Sequence, residues 1–297
     1  MSGISTYAAR TRTAVLDRSI DGQSSFVAGV LPFVKWAGGK RRLLPEILEA
    51  APSSFSRYLE PFLGGGAVAL TVQGCPMLLN DSNEELITAY RMVRECLGEL
   101  CILLDSHRSA HSEDYFYQVR QQNVINLSPI ETAARFIYLN KTAFNGLYRV
   151  NRNDQFNVPH GRYKNPVLYD RTNLVAVSRV LQKADLSKLD FREFLIKNAR
   201  PGDFIYLDPV YHPVSKFSDF KRYTPIQFRD EDQIALASLY DELAKLGAYP
   251  VLSNSYCEFT LNLYAAHNIR VVEATRNINH DGKGRGRISE ILVTPKG

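Results

Sequence analysis

The run Phe204-Ile205-Tyr206-Leu207-Asp208-Pro209-Val210-Tyr211 restricts the fold more than any other stretch of the chain. Four apolar or aromatic residues read as a buried strand, entered through the turn Pro201-Gly202-Asp203 and stopped by Pro209. In an open α/β sheet, a carboxylate at the C-terminal end of a parallel strand stands where ligands are held. Alone, the run reads first as a plain strand end and turn. Its companions decide the reading.

Those companions repeat strand, turn and helix. Tyr58-Leu59-Glu60-Pro61-Phe62 reads as a strand entering Leu63-Gly64-Gly65-Gly66, with a helix beginning at Ala67-Val68-Ala69-Leu70. That geometry lets a small ligand approach bare backbone. Met77-Leu78-Leu79 then ends in Asn80-Asp81, and an acid at such a strand tip is where these folds hold ribose hydroxyls. A helix N-cap explains Asp81 equally well, but beside the glycine turn it favours a nucleoside-bearing ligand. Upstream, Phe33-Val34-Lys35 forms a short extended run before Trp36-Ala37-Gly38-Gly39-Lys40 and a helix through Leu43, Leu44, Ile47 and Leu48. The Gly-Gly-Lys is not a Walker phosphate loop, because Arg41 follows Lys40 and the spacing is wrong. Trp36 is suited to stacking on something flat.

From about Glu84 to Asn140 the apolar positions take helical spacing, as in Leu86, Ala89, Tyr90 and Val93. Between Lys141 and Lys164, basic residues alternate with Phe144, Tyr148, Phe156 and Tyr163, and Asn151-Arg152-Asn153-Asp154 reads as the turn of a hairpin. A basic aromatic hairpin can enter a nucleic-acid groove or simply be a solvated surface hairpin. A helix follows near Asp170–Gln182, then Leu189-Asp190-Phe191 as a strand ending in an acid. Leu236, Leu239, Leu243 and Leu246 make a helical core stripe, and Pro250-Val251-Leu252 delivers Ser253-Asn254-Ser255 to a strand end. Two last strands, Ile269–Glu273 and Ile288–Val293, flank the basic glycine loop Gly282–Arg287, which suits phosphates. Such alternation implies a mostly parallel α/β sheet interrupted by a helical insert.

A length of 297 residues accommodates one large domain or a core domain with an insert. The net charge of +5 permits a polyanionic partner without requiring one. Cys75, Cys96, Cys101 and Cys257 show no metal-ligand spacing and suit a reduced compartment. No apolar run approaches the roughly 18 residues of a membrane span, and the N-terminus lacks a secretory apolar region, so a cytosolic protein is expected. Residues 1–32 read as a flexible or weakly packed extension, although Phe26-Val27-Ala28-Gly29-Val30 can lie on the core.

Taken in order, Trp36–Lys40, Glu60–Gly66, Asn80-Asp81, Asp208-Pro209-Val210-Tyr211 and Ser253-Asn254-Ser255 closely resemble the motifs of the Dam-type DNA adenine-N6 methyltransferases, class alpha, D12 group. The likeness spans about residues 33–297. It implies a Rossmann-like methyltransferase sheet, with a catalytic domain over 33–90 and 166–297 and a target-recognition insert over 91–165. It implies S-adenosyl-L-methionine as methyl donor, no metal, and double-stranded DNA as partner of a monomeric enzyme. By the resemblance, Trp36, Ala37, Lys40, Phe62, Gly64, Asp81, Asp190, Phe191 and Asp208 line the cofactor site, Asp81 on the ribose and Asp190 near the adenine. Asp208, Pro209 and Tyr211 are the implied catalytic residues. The insert matches in Asn140–Arg149 and Phe156–Pro159. In relatives that read GATC, the positions of Lys35, Leu147, Arg149 and Pro159 contact target bases, while Phe144 and Asn145 occupy the opened helix. Asn151 joins the expected DNA-contacting set.

Phe144 stands where the family more commonly has Tyr, and the catalytic motif departs further. In the family that motif usually reads Asp-Pro-Pro-Tyr, and Val210 stands at the third place. Valine keeps the carbonyl, loses the fixed φ and gains an N–H, while its branched Cβ favours an extended backbone. Activity is therefore expected, with a DNA-binding methyltransferase relic as the alternative. The hairpin insert opposes an RNA or protein-glutamine methyltransferase, and the glycine spacing opposes a dehydrogenase.

Overall fold

The computed structural model describes residues 24–27, 29–151, 153, 155–213, 228–275 and 287–296. Its strands are β1 (Ser25–Phe26), β2 (Arg57–Glu60), β3 (Val72–Gln73), β4 (Met77–Asn80), β5 (Ala184–Ser187), β6 (Asp203–Leu207), β7 (Tyr249–Ser255), β8 (Asn268–Thr275) and β9 (Arg287–Thr294). Its α-helices are α1 (Leu44–Ala50), α2 (Glu84–Glu95), α3 (Leu97–Ser109), α4 (Glu113–Gln121), α5 (Pro129–Thr142), α6 (Arg171–Leu181), α7 (Phe191–Asn198), α8 (Asp230–Leu246) and α9 (Glu258–Leu263). None is long and apolar enough to cross a membrane.

Seven strands form one sheet in the order β5-β4-β2-β6-β7-β9-β8. From β5 to β7 every neighbouring pair is parallel, whereas β9 runs antiparallel to both β7 and β8. The chain steps outward from β2 to β4 and β5, then returns to β6 on the other side of β2. The order therefore reverses between β2 and β6, and open sheets bind ligands at the C-terminal ends of strands flanking such a reversal. This is the expected Rossmann-like α/β architecture.

Alternation along the central strands fills both faces. Tyr58, Phe204 and Tyr206 enter one buried cluster with α2 and α5, while Leu59, Ile205 and Leu207 enter a second with α7 and α8. Local sequence sets the helix starts. Asn83 caps α2, Asp170 caps α6, and a Ser128–Glu131 capping box with Pro129 opens α5.

Several expectations change, and Leu246, placed in the core stripe of α8, is exposed. The helix at Ala67 is a single 3-10 turn, Ala69–Thr71, followed by β3, because Gly74 and Pro76 leave no room for a longer one. The strand placed at Leu189–Phe191 lies earlier, at β5, and Asp190 instead caps α7. Phe33 and Val34 form a bend in place of the short extended run. Finally, within the N-terminal extension Phe26 packs on the core, as the alternative reading allowed. β1 pairs with β3, and Phe26 meets Phe55 and Phe204 at 5.7 and 6.1 Å. Residues 1–23, Arg152, Asp154 and the glycine loop at 282–286 lie outside the described residues.

Candidate active site

Asp208 is the first residue beyond β6, at the sheet reversal. Lys40 Nζ approaches its Oδ1 at 2.8 Å, and Ser253 Oγ donates to the same oxygen at 2.9 Å. Lys40 also donates to the Gly38 carbonyl at 2.6 Å and stands 4.5 Å over the Tyr211 ring. Burial raises the pKa of Asp208 above its ordinary value, against the opposing pull of Lys40 and Ser253.

The Asp-Pro-Val-Tyr loop is clamped from three elements. Gln233 of α8 donates its amide to the Val210 carbonyl at 2.8 Å, and Asn254 donates to Gln233 Oε1 at 3.0 Å. Asn254 Oδ1 accepts from the His212 backbone N–H at 3.2 Å, and Ser255 Oγ donates to the His212 carbonyl at 2.8 Å. The Tyr211 hydroxyl donates to Glu290 Oε2 of β9 at 2.7 Å. Ser253, Asn254 and Ser255 thus each hold a different point of the loop.

At the C-terminal end of β2 the glycine turn wraps an acid. Asp81 accepts from the Gly64 N–H at 2.9 Å and the Asn83 N–H at 3.0 Å. Burial lifts its pKa to about 6 against those two amides. The cap of α2 is Asn83, which disposes of the N-cap alternative for Asp81. Gly64 has φ 47°, and a Cβ there would stand 2.8 Å from Trp36 Cδ1, so the indole lies directly on the turn. Glu60 accepts from the Tyr58 hydroxyl at 2.7 Å and the Ala69 N–H at 3.1 Å, which ties strand to turn. Its burial raises its pKa to about 8.

Trp36, Gly64 and Asp81 therefore adjoin one another, and Lys40, beyond Ala37, reaches Asp208. Phe62 and Phe191 pack at 5.3 Å, with Phe228 beside both. Asp190 is half exposed and bonded to the Arg192 N–H and guanidinium.

The indole continues into the insert, stacking on Tyr148 at 5.6 Å and 24°. Asn140 clamps Lys35 at both backbone groups, each at 2.7 Å. Lys35 Nζ sits over Tyr163 at 4.7 Å. Phe144 is partly exposed and its N–H donates to the Pro159 carbonyl at 2.9 Å, while Asn145 has φ 54°. Leu147 is packed against the core. The hairpin is a short one, with a single Val150–Phe156 bridge and an Asn151–Gln155 backbone bond at 2.9 Å. Arg149 Nε donates to Asn157 Oδ1 at 2.8 Å.

The model of the D12 class N6 adenine-specific DNA methyltransferases matches residues 36–278. The chain belongs to that family. It is 40% identical over 272 residues to the type II methyltransferase M1.LlaDCHI of Lactococcus lactis subsp. cremoris, covering 90% of this chain and 95% of that one. It is 40% identical over 285 residues to the type II methyltransferase M.MjaIII of Methanocaldococcus jannaschii, covering 89% and 98%. The DNA adenine methylase of Haemophilus influenzae shares 33% identity over 266 residues, covering 88% and 92%.

Within this D12 chain, Glu60, Gln233, Glu290, Asn140 and Asn157 surround the expected residues and were not singled out by sequence reasoning. Gln233 carried a signal. It precedes Leu236 by three residues, which places a polar group on the buried stripe of α8. Glu290 carried one too, as an acid inside an apolar strand.

Proposed function

We propose that the chain transfers a methyl group from S-adenosyl-L-methionine to N6 of adenine in double-stranded DNA, within GATC, in the prokaryotic cytosol or an infected cell. The observation that carries this reading is the state of Asp208. Lys40 and Ser253 both bond Oδ1, so Oδ2 is the oxygen offered to an incoming N–H donor.

The donor set fits the cofactor by its chemistry. A nucleoside with an amino-acid tail calls for a carboxylate at the ribose, apolar walls for the purine and a cation for the tail carboxylate. Asp81, the pair Phe62 and Phe191, and Lys40 supply these, with Trp36, Ala37 and Gly64 shaping the turn and Asp190 beside it. When bound, the cofactor supplies an electrophilic sulfonium methyl.

Adenine N6 is a poor nucleophile because its lone pair is delocalised into the ring. Asp208 Oδ2 and the Pro209 carbonyl each accept one N6 hydrogen, which draws the nitrogen toward tetrahedral geometry and frees the pair. The contribution is positioning and charge stabilisation, without a covalent intermediate. The base must first leave the duplex, and Tyr211 gives it a stacking surface. Lys35, Leu147, Arg149 and Pro159 read the target from the insert side, Asn151 supports the hairpin, and Phe144 and Asn145 fill the opened helix.

Incubation with S-adenosyl-L-methionine and unmethylated DNA, followed by sequencing for N6-methyladenine, tests the whole reading. Methylation confined to GATC is expected. Modification of every adenine would sink the specificity, and GATC binding without methyl transfer would mark a relic.

A further inference from the structure

Tyr211 leaves the catalytic loop with its ring restrained by two charged groups. Its hydroxyl donates to Glu290 Oε2 at 2.7 Å, and Lys40 Nζ lies 4.5 Å over the ring. One restraint acts at the ring's edge and the other over its face, so together they fix both its position and its plane. Glu290 comes from β9, in register with Ser255 of β7, and is 8% exposed. A carboxylate at that depth is costly unless hydrogen-bonded, and a bond from a hydroxyl to an ionised acceptor is among the stronger kinds. Because β7 bonds Asp208 and His212 on either side of Tyr211, the strand pair β7–β9 grips the loop at backbone and ring alike. No residue of β9 belongs to the site expected from the family resemblance.

We propose that Glu290 is a positioning residue for the target base. Its carboxylate sets the Tyr211 ring, before DNA arrives, as the platform against which the extruded adenine stacks. The proposal rests on the adenine-N6 reading above. A platform set in advance acts on the reacting geometry, where small misplacement costs rate far more than binding.

The test is a double-mutant cycle on the full-length protein with a GATC duplex and S-adenosyl-L-methionine. At saturating DNA and cofactor, Glu290→Ala should lower the single-turnover rate about tenfold or more, with both dissociation constants held within about twofold. Tyr211→Phe removes only the hydroxyl, threatens folding least, and should show the same split. The double variant should be no slower than the slower single one, because both singles remove the Tyr211–Glu290 bond. Glu290→Gln, which retains an acceptor oxygen, should recover most of the loss. Losses that multiply in the double variant, or a Tyr211→Phe protein as fast as the parent, would overturn the assignment. A parent that transfers no methyl to adenine overturns the adenine-N6 reading and this proposal together. A methylating parent matched by its Glu290→Ala variant overturns the proposal alone.

Discussion

At Val210 the chain lacks the stiffness that a second proline would supply, and hydrogen bonds hold the loop on either side of Tyr211. Gln233 holds the Val210 carbonyl and Asn254 holds the next-but-one N–H, so the backbone is fixed on both sides of Tyr211. Proline at 210 keeps the bonded carbonyl. Val210→Pro should therefore change the single-turnover rate by less than about tenfold, or 1.4 kcal/mol. Gln233→Ala should do more harm, leaving a carbonyl and an amide unpaired at a cost of about 1–3 kcal/mol each, visible as a lower melting temperature and a slower loop-dependent step. If Val210→Pro accelerates while Gln233→Ala is silent, the clamp is not what holds the loop. Asp208 gives a second prediction. Its folded pKa is raised, so the reactive carboxylate is lost as pH falls through a value above the ordinary carboxylate range of about 4. The acid limb of kcat/KM should follow that raised value, and Ser253→Ala, which removes a bond favouring the charged form, should move the limb further toward neutral pH. An acid limb left in place by Ser253→Ala would deny that bond its role. The acid itself became legible once its run was read with the companion motifs. Its clamp did not, because Gln233 and Glu290 are distant in sequence and acquire meaning only when α8 and β9 pack beside β7.

Among the elements, the hairpin around Val150 and Phe156 shows what spacing can and cannot convey. Its basic and aromatic alternation marked it, yet only packing shows that Asn157 receives Arg149 Nε. That bond leaves both terminal amino groups of the guanidinium available as a fork, the form that pairs with guanine O6 and N7. Arg149→Ala should cost about 1–3 kcal/mol of discrimination at one base pair of the target, measured as the ratio of kcat/KM on GATC to that on single-base variants. A variant as selective as its parent would remove Arg149 from the reading set. Gly146 supports the same surface from beneath. It has φ 63°, and a Cβ there would fall 2.1 Å from Lys35 Cδ, so the turn and the lysine occupy a shared space. The elements that were misplaced, the helix after Gly66 and the strand near Asp190, failed for a common reason. Short apolar runs read alike as strand or helix, and the breakers Gly66 and Gly74 confine the run between them.

On the scale of the whole molecule, the insert and the sheet share one interior. Tyr58 and Phe204 of the sheet belong to the same buried cluster as Tyr138 of α5 and Tyr148 of the hairpin. The family resemblance implies a boundary at residue 91, but hydrophobic burial draws no line there, since helical periodicity cannot say which partner a stripe will meet. Charge reinforces the junction. Arg135 of α5 is 3% exposed at its side chain and pairs with Glu85 of α2 at 2.7 Å, while also donating to the Val119 and Arg120 carbonyls of α4 at 3.2 and 3.1 Å. Glu85 in turn accepts from the Tyr148 hydroxyl at 3.1 Å, beside Trp36 on the glycine turn. One guanidinium thus links the helix that follows Asp81 to the insert. Calorimetry of the intact chain should show a single unfolding transition, because neither part can be exposed without opening the core of the other. Arg135→Met should leave Glu85 buried without its cation, at about 3–5 kcal/mol. That lowers the one transition by roughly 6 °C or more. Two resolved transitions, in the parent or in the variant, would show instead that the recognition insert folds and melts on its own.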